Sequence, residues 1–508
     1  MFPTDTRYET KVTLETEISS VSDDDLPFKL LFLGDWRGRR QSLIIDASKS
    51  RPIEIDRDNF DDVMRKFNVG LDLTFEDDDL NRLSLQFSEL EDFHPDKIFQ
   101  QLPLFSNLRE IRNKLSNSDT YNEAAREVRS WIKTERNADV KGDTPQSEDS
   151  VEKQPAPDDL LDRILGRADE KNFALPSPNV PSSELSEFIG KIVKPHLIQT
   201  DTEEQSNLLL IVDEITSDLM REILHHPQFQ ALESAWRGLY LLIRKIETDN
   251  NLKTYLYDIG KSELSETLKS ADDLTANRIY RLLNNDEHSW ALVGGSYTFN
   301  LNVDDVAVLI RLAKIGHNTD TPFISHIQPE MFGFRSFNNF SSFDRLQFSG
   351  NLTEAKLWNA LRELPEATHL GLALPRFLAR LPYGAKTEPT ETFYFEEFKA
   401  LVQHEEFLWA NPIFICALLL AQSFVNSGWD LSNNLIQDLE DLPLYFYQEE
   451  TETQSKSCAE IIMTQSNAEL LVEQGLMPLI SFRDSDRVRI GRFQSITFSE
   501  SMLSGKWK

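Results

Sequence analysis

A chain of 508 residues is longer than one hydrophobic core ordinarily serves, so two or three domains are expected. Its formal charge of −31 repels phosphate backbones and anionic lipid heads, which makes nucleic acid and membrane surfaces poor partners and leaves solubility, or a basic protein partner, as the use of the acidity. The 2 cysteines, Cys416 and Cys458, are too few for a disulfide framework and fit a reducing cytoplasm.

The start, MFPTDTRYETK, shows no leader pattern. From Arg7 to Leu14 the residues roughly alternate, with Tyr8, Thr10, Val12 and Leu14 on one side, and a polar run SSVSDDD follows. This reads as a strand on an arm (1–25) that needs a sheet edge to be stable, or as a frayed terminus.

A compact unit is expected over 26–136. Leu26 to Leu33 is a strand, GDWRGR a turn and Ser42 to Asp46 a second strand. Asp58 is placed to cap a helix whose Phe60, Val63, Met64 and Phe67 repeat at helical spacing. Leu71, Leu73 and Phe75, then Leu83, Leu85 and Phe87, alternate as a hairpin; Pro95 opens a short helix, and Leu104, Leu108, Ile111 and Leu115 line a longer one. Asp77, Asp79 and Asn81 mimic the start of a calcium loop, but Arg82 and Ser88 stand where an EF-hand needs Gly and Glu, so the run reads as a charged turn.

Residues 137–157 lack aromatics and read as an acidic flexible linker. The short amphipathic segment Asp158 to Leu165 follows, with Leu160, Leu161, Ile164 and Leu165 on its apolar side; it either docks on a partner or packs on its own domain. Within the second unit, 158–508, a long helix runs from Asn207 to His226. The next helix starts at Pro227 and carries an apolar stripe of Phe229, Leu232, Trp236, Leu239, Tyr240 and Ile243, flanked by a Glu233–Arg237 pair and by Gly238, which would let a neighbouring backbone approach. Strands at Lys253–Ile259, Trp290–Phe299, Pro322–Ile327 and His369–Leu374 alternate with helices at Val303–Ile315 and Thr353–Leu364, the pattern of an α/β layer. Glu406 to Trp429 reads as a buried helix; its apolar run Ile413–Ala421 is far short of the ~20 residues that span a membrane. Asn467 to Gln474 is a short helix closed by Gly475, before the strand MPLISF.

Catalytic, metal and cofactor motifs are not found. His225 and His226 diverge on a helix and read as structural; the Gly-Gly of VGGSYTF sits in a strand pattern, where it marks a bulge or close approach. Arg376 and Arg380 could hold an anion or pair with Glu396 and Glu397. Asn339 and Asn351 head glycosylation sequons that mean little without a secretion signal.

The segment HHPQFQALESAWRGLYLL, with Pro227, Phe229, Leu232, Trp236, Arg237 and Gly238, resembles a hallmark of the large subunit of the type VI secretion contractile sheath (TssC/VipB-like). His369–Glu397, with Pro375, Arg376, Arg380, Pro382, Tyr383 and Gly384, is similar to its second hallmark. LPFKLLFLGDW, IEIDRDNFDDVMRKF and FSELEDFHPDKIFQQLPLFSNLREIRNKL resemble the small sheath subunit (TssB/VipA-like), although the basic segment before the ID motif is diluted to SKSRP. DLSNNLIQDLEDL stands where the family has a glycine-rich loop, and the chain stops where large subunits usually continue into an inter-subunit strand. The resemblance therefore implies a fusion of the two subunits, shortened at the C-terminus: a small mixed α/β domain linked to a larger α/β sheath-type domain, structural and cytoplasmic, without an active site. It implies sheath subunits as partners, with inner tube, baseplate and a recycling unfoldase that reads an LLD-type segment as further candidates. It leaves open a protomer of the sheath body, a cap or regulator, or a non-polymerising adaptor.

Overall fold

The computed structural model describes residues 26–38, 51–75, 82–136, 204–270, 273–285, 289–328, 352–399, 403–449, 452–499 and 501–507. In chain order, the first unit contributes β1 (Phe28–Gly34), β2 (Ile53–Ile55), α1 (Phe60–Phe67), the hairpin β3 (Gly70–Thr74) and β4 (Arg82–Gln86), and the helices α2 (Pro95–Gln101), α3 (Pro103–Ser116) and α4 (Tyr121–Arg136). The second begins with α5 (Glu204–Leu224) and α6 (Pro227–Lys245). Then come β5 (Leu252–Asp258), α7 (Lys261–Lys269), α8 (Arg278–Leu283), β6 (Trp290–Phe299), α9 (Val303–Thr319), β7 (Phe323–Ile327), α10 (Leu352–Arg362), β8 (Leu370–Leu374), β9 (Phe377–Leu378) and β10 (Trp409–Ala410). The last are α11 (Ile413–Ser427), β11 (Asp438–Leu439), the ribbon β12 (Tyr445–Glu449) and β13 (Glu452–Lys456), α12 (Gln465–Glu473), β14 (Met477–Ser481) and β15 (Val488–Ile490).

The fold is α/β, built on a 9-stranded sheet of order β11-β15-β14-β8-β7-β6-β1-β5-β2. From β14 to β5 neighbouring strands run parallel, and β15, β11 and β2 add antiparallel margins. The first unit's β1 lies inside this sheet, Leu31 opposite Tyr255 of β5 on one side and Val293 of β6 on the other. A parallel strand with neighbours on both edges and helices over both faces must be apolar almost throughout, and FKLLFL is. Phe28, Leu30 and Phe32 face one core, with α6, α11 and the first unit's helices, whereas Leu31 and Leu33 face the other, with α7 to α10. Two layers of helix therefore sandwich one sheet, and both units contribute to it.

Several details differ from expectation. Helix α1 begins at Phe60 with Asn59 at its cap position and no side-chain cap; the Asp56 carboxylate, not Asp58, accepts the backbone N–H groups of Asp58 and Asn59. The stretch 406–429 is not one helix: a 3-10 turn at His404–Glu406 and β10 precede Pro412, and α11 starts only at Ile413. Proline fits there because helix starts have spare N–H groups. Helix α4 was not anticipated; it buries Ala124, Ala125, Val128 and Trp131. The glycines of VGGSYTF behave as expected, since a Cβ on Gly294 would stand 2.7 Å from Ile413 and the β6–β7 register slips between Gly295 and Thr298. The proposed strand Ser42–Asp46, the acidic run at Asp77 and both sequons lie outside the described residues, as does 137–203.

Arg129 of α4 is paired with Glu204 of α5 at 2.6 Å, an ion pair between the two units. Sheet pairing and a shared core join the halves among the described residues. Protease cleavage at a site inserted between 137 and 157 is expected to leave the two pieces co-eluting in gel filtration at micromolar concentration. Elution as two folded halves would refute this.

Candidate functional site

The two hallmark segments meet each other. Pro227 is the first residue of α6, and His226 before it accepts the Gln228 N–H at Nδ1, which leaves Nε2 to donate toward the Thr74 carbonyl at 3.3 Å. Its neighbour His225 points elsewhere, 3.6 Å from the Glu397 carboxylate, so the doublet is structural and divided. Phe229 packs edge-on against Phe87 and Phe93, Leu232 is buried, and Trp236 lies among Trp36, Phe60 and Phe67, all from the first unit. Trp236 Nε1 donates to the Trp36 carbonyl at 3.1 Å, which satisfies its one polar atom. Tyr240, expected in the stripe, is instead 37% exposed at the rim against Phe60. Gly238 admits a side chain rather than a backbone: a Cβ there would lie 2.3 Å from the Phe414 ring.

On its other side α6 carries a buried charge network. Glu233 receives Arg237 Nε at 2.7 Å and Arg380 Nε at 2.8 Å, while Arg380 Nη1 and Nη2 reach Glu397 at 2.7 and 3.0 Å. The Arg380 side chain is 5% exposed, Glu233 0% and Glu397 1%. One planar guanidinium thus bridges two sealed carboxylates, a task lysine cannot perform. Tyr383 completes the joint: its N–H donates to Glu397 at 2.7 Å, its hydroxyl accepts from Arg237 at 2.9 Å and its ring lies 4.1 Å from the Arg380 guanidinium. The first unit's His94 stacks edge-on against the same ring. Pro382 offers its carbonyl to Thr387, and a Cβ on Gly384 would crowd the Glu396 carboxylate at 2.2 Å.

Burial by itself would raise the Glu397 carboxyl; the charge of Arg380, the nearby His225 and the hydrogen bonds from Arg380 outweigh it and hold it at about 2. Burial pushes the Tyr383 phenol up against the opposing pull of Arg237 and Arg380, so it stays protonated.

Arg376, which follows the cis Leu374–Pro375 bond by one residue, does not pair with Glu396 or Glu397 as expected. It forks onto Glu460, after β13, whose second neighbour is His404 Nε2 at 3.1 Å. Burial would raise Glu460 too, and Arg376 with His404 brings it down to about 2. Burial, then Arg376, pushes the adjacent His326 to about 3 and keeps it neutral. Pairing did prevail for Arg380, through Glu397 and through a Glu233 that was assigned only to Arg237. A glutamate flanking an apolar helical stripe is the signal that could have shown it, because a carboxylate buried beside the stripe must find cations.

The strand candidates Tyr8, Thr10, Val12 and Leu14 and the docking candidates Leu160, Leu161, Ile164 and Leu165 lie outside the described residues. Among the described residues no group of His, Cys, Asp and Glu could hold a metal ion, and no helix is long and apolar enough to cross a membrane.

Arginines and carboxylates sealed this far from water hold elements together; they are placed for rigidity, not for meeting a substrate. Residues 206–497 match the family described as "EvpB/VC_A0108, tail sheath N-terminal domain", and the chain belongs to that tail sheath family. Residues 7–137 match a second family, "Type VI secretion system, VipA, VC_A0107 or Hcp2". Over 276 residues the chain is 34% identical to the "Type VI secretion system sheath protein TssC1" of Pseudomonas aeruginosa, an alignment covering 52% of this chain and 55% of that protein. The chain thus spans about half the length of the curated relative it matches.

Proposed function

We propose that the chain is a structural component of a type VI secretion contractile sheath, a protomer in which the small-subunit-like and large-subunit-like parts are built as one folding unit. The observation that carries this reading is the place of β1, from the VipA-like region, inside the sheet of the VipB-like region. Two proteins that must associate to complete a sheet lose nothing by being joined, and a tether raises their effective concentration. The protomer works in the cytoplasm, without catalysis or cofactor. Contraction is a mechanical rearrangement between protomers, driven by differences in stored conformational energy. Its partners are sheath subunits first, with inner-tube and baseplate proteins beyond them.

The arm carrying Tyr8, Thr10, Val12 and Leu14 links protomers by adding a strand to a neighbour's sheet edge, where main-chain hydrogen bonds supply the affinity. Deleting Met1 to Ser20 is expected to leave the melting temperature unchanged and to abolish tubes in negative-stain micrographs, whether the protein is alone or mixed with ordinary sheath subunits. Tubes formed equally well without the arm would overturn the strand-addition role. The segment with Leu160, Leu161, Ile164 and Leu165 serves the recycling unfoldase as a handle. Leu161→Asp with Leu165→Asp should abolish unfoldase pull-down and spare the circular dichroism; loss of the fold would assign these leucines to packing.

A further inference from the structure

We propose that the cleft where α3, α5 and the loop 391–394 meet is a docking site for an acidic peptide segment of a partner protein, anchored by one aromatic side chain. The cleft has a volume of about 270 Å3 and its walls come from both units of the chain. Phe99 and Leu108 are buried at its base, and Phe393 stacks on Phe99 with ring centroids 4.6 Å apart. Tyr394, which also lines it, is the most exposed large hydrophobic residue described, at 77%.

The loop that carries this ring is pinned just before it. The Asp96 carboxylate accepts the backbone N–H groups of Glu391 at 2.8 Å and Thr392 at 3.0 Å and the Thr392 hydroxyl, and the Tyr394 hydroxyl donates to Glu396 at 3.3 Å. A loop fixed before binding loses little freedom when a ligand arrives. Leu210, 65% exposed, lies three residues before Asp213 on α5 and extends the apolar surface along that helix.

Charge selects the ligand. Around the cleft Arg112 forks onto Asp213 and Lys114 pairs with Glu110, whereas Arg109 has no carboxylate partner among the described residues. Its guanidinium lies 5.9 Å from the centre of the Phe99 ring. A guanidinium over an aromatic floor, beside an exposed tyrosine, suits a carboxylate followed by a ring: the acid forks onto Arg109 and the ring enters between Phe393 and Tyr394.

Fluorescence anisotropy of the full chain with a fluorescein-labelled Glu-Asp-Glu-Phe-Asp-Glu peptide tests this. Saturable binding is expected, weakened by salt and reduced about tenfold or more by Arg109→Glu or by Tyr394→Ser. Both residues are exposed, so the thermal melts of the variants should match the parent. Three results would each overturn the proposal: no binding, binding indifferent to both substitutions, or equal binding of a peptide with alanine for phenylalanine. Preference for the lysine-substituted peptide would exclude an acidic ligand as well.

Discussion

Replacing Trp236 with alanine is expected to cost on the order of 3–5 kcal/mol, the range for emptying a fully packed aromatic site. The ring is sealed from solvent, touches aromatic rings on β1's outgoing turn and on α1, and uses its indole N–H on the Trp36 carbonyl. The cavity would open between the two units, so the loss should appear in equilibrium unfolding and as easier separation of linker-cleaved halves. Tyr240→Ala, on the same helix at the rim, is the control and should cost about 1 kcal/mol. Equal effects of the two substitutions would show that Trp236 is no anchor.

Arg380→Ala is expected to be as damaging, about 3–5 kcal/mol, because it strands Glu397 in the interior without its guanidinium and leaves Glu233 with Arg237 alone. The pH dependence distinguishes this cause from lost packing. In the parent protein Glu397 and Glu460 sit at about 2 against an ordinary 4.5, so the stability they supply is complete above 4.5 and disappears as pH falls toward 2. Without Arg380, burial dominates at Glu397 and its carboxyl rises, so near neutral pH the variant must either desolvate a charge or bind a proton. The stability gap between parent and variant should therefore be widest near neutrality and narrow below 4.5. Urea unfolding at several pH values checks it; a gap independent of pH would assign the loss to packing alone. Adding Glu397→Gln to Arg380→Ala should recover part of the loss, since neighbours in one network couple.

Helical and strand periodicity carried most of the architecture. Trp290–Phe299 was read with both ends correct, and the buried stripes of α1, α3 and α6 followed from apolar spacing. Which strands neighbour one another was not legible: nothing local in LPFKLLFL says that its partners lie at 252–258 and 290–299, although its almost unbroken apolarity is the mark of a strand covered on both faces. The site was legible by halves. Each hallmark segment stood out, and the Glu233–Arg237 pair followed from helical spacing, but Arg376 finding Glu460 and Asp96 clasping Thr392 are meetings set by tertiary folding. Gly238 was read as a place for backbone because glycine reports only that space is needed; the occupant is the Phe414 ring.

The position of β1 also sets an order of events at the ribosome. Its pairing residues run from Phe28 to Gly34, yet the strands on its two edges end at Asp258 and Phe299. At about 5–20 residues per second, β1 leaves the ribosome roughly 10–50 s before both neighbours have been made. During that interval FKLLFLG has both hydrogen-bonding edges and both apolar faces unsatisfied, which is the state most open to mispairing with another nascent chain. Joining the two parts in one polypeptide ensures that the strand's own partners follow from the same ribosome, after β2, β3 and β4.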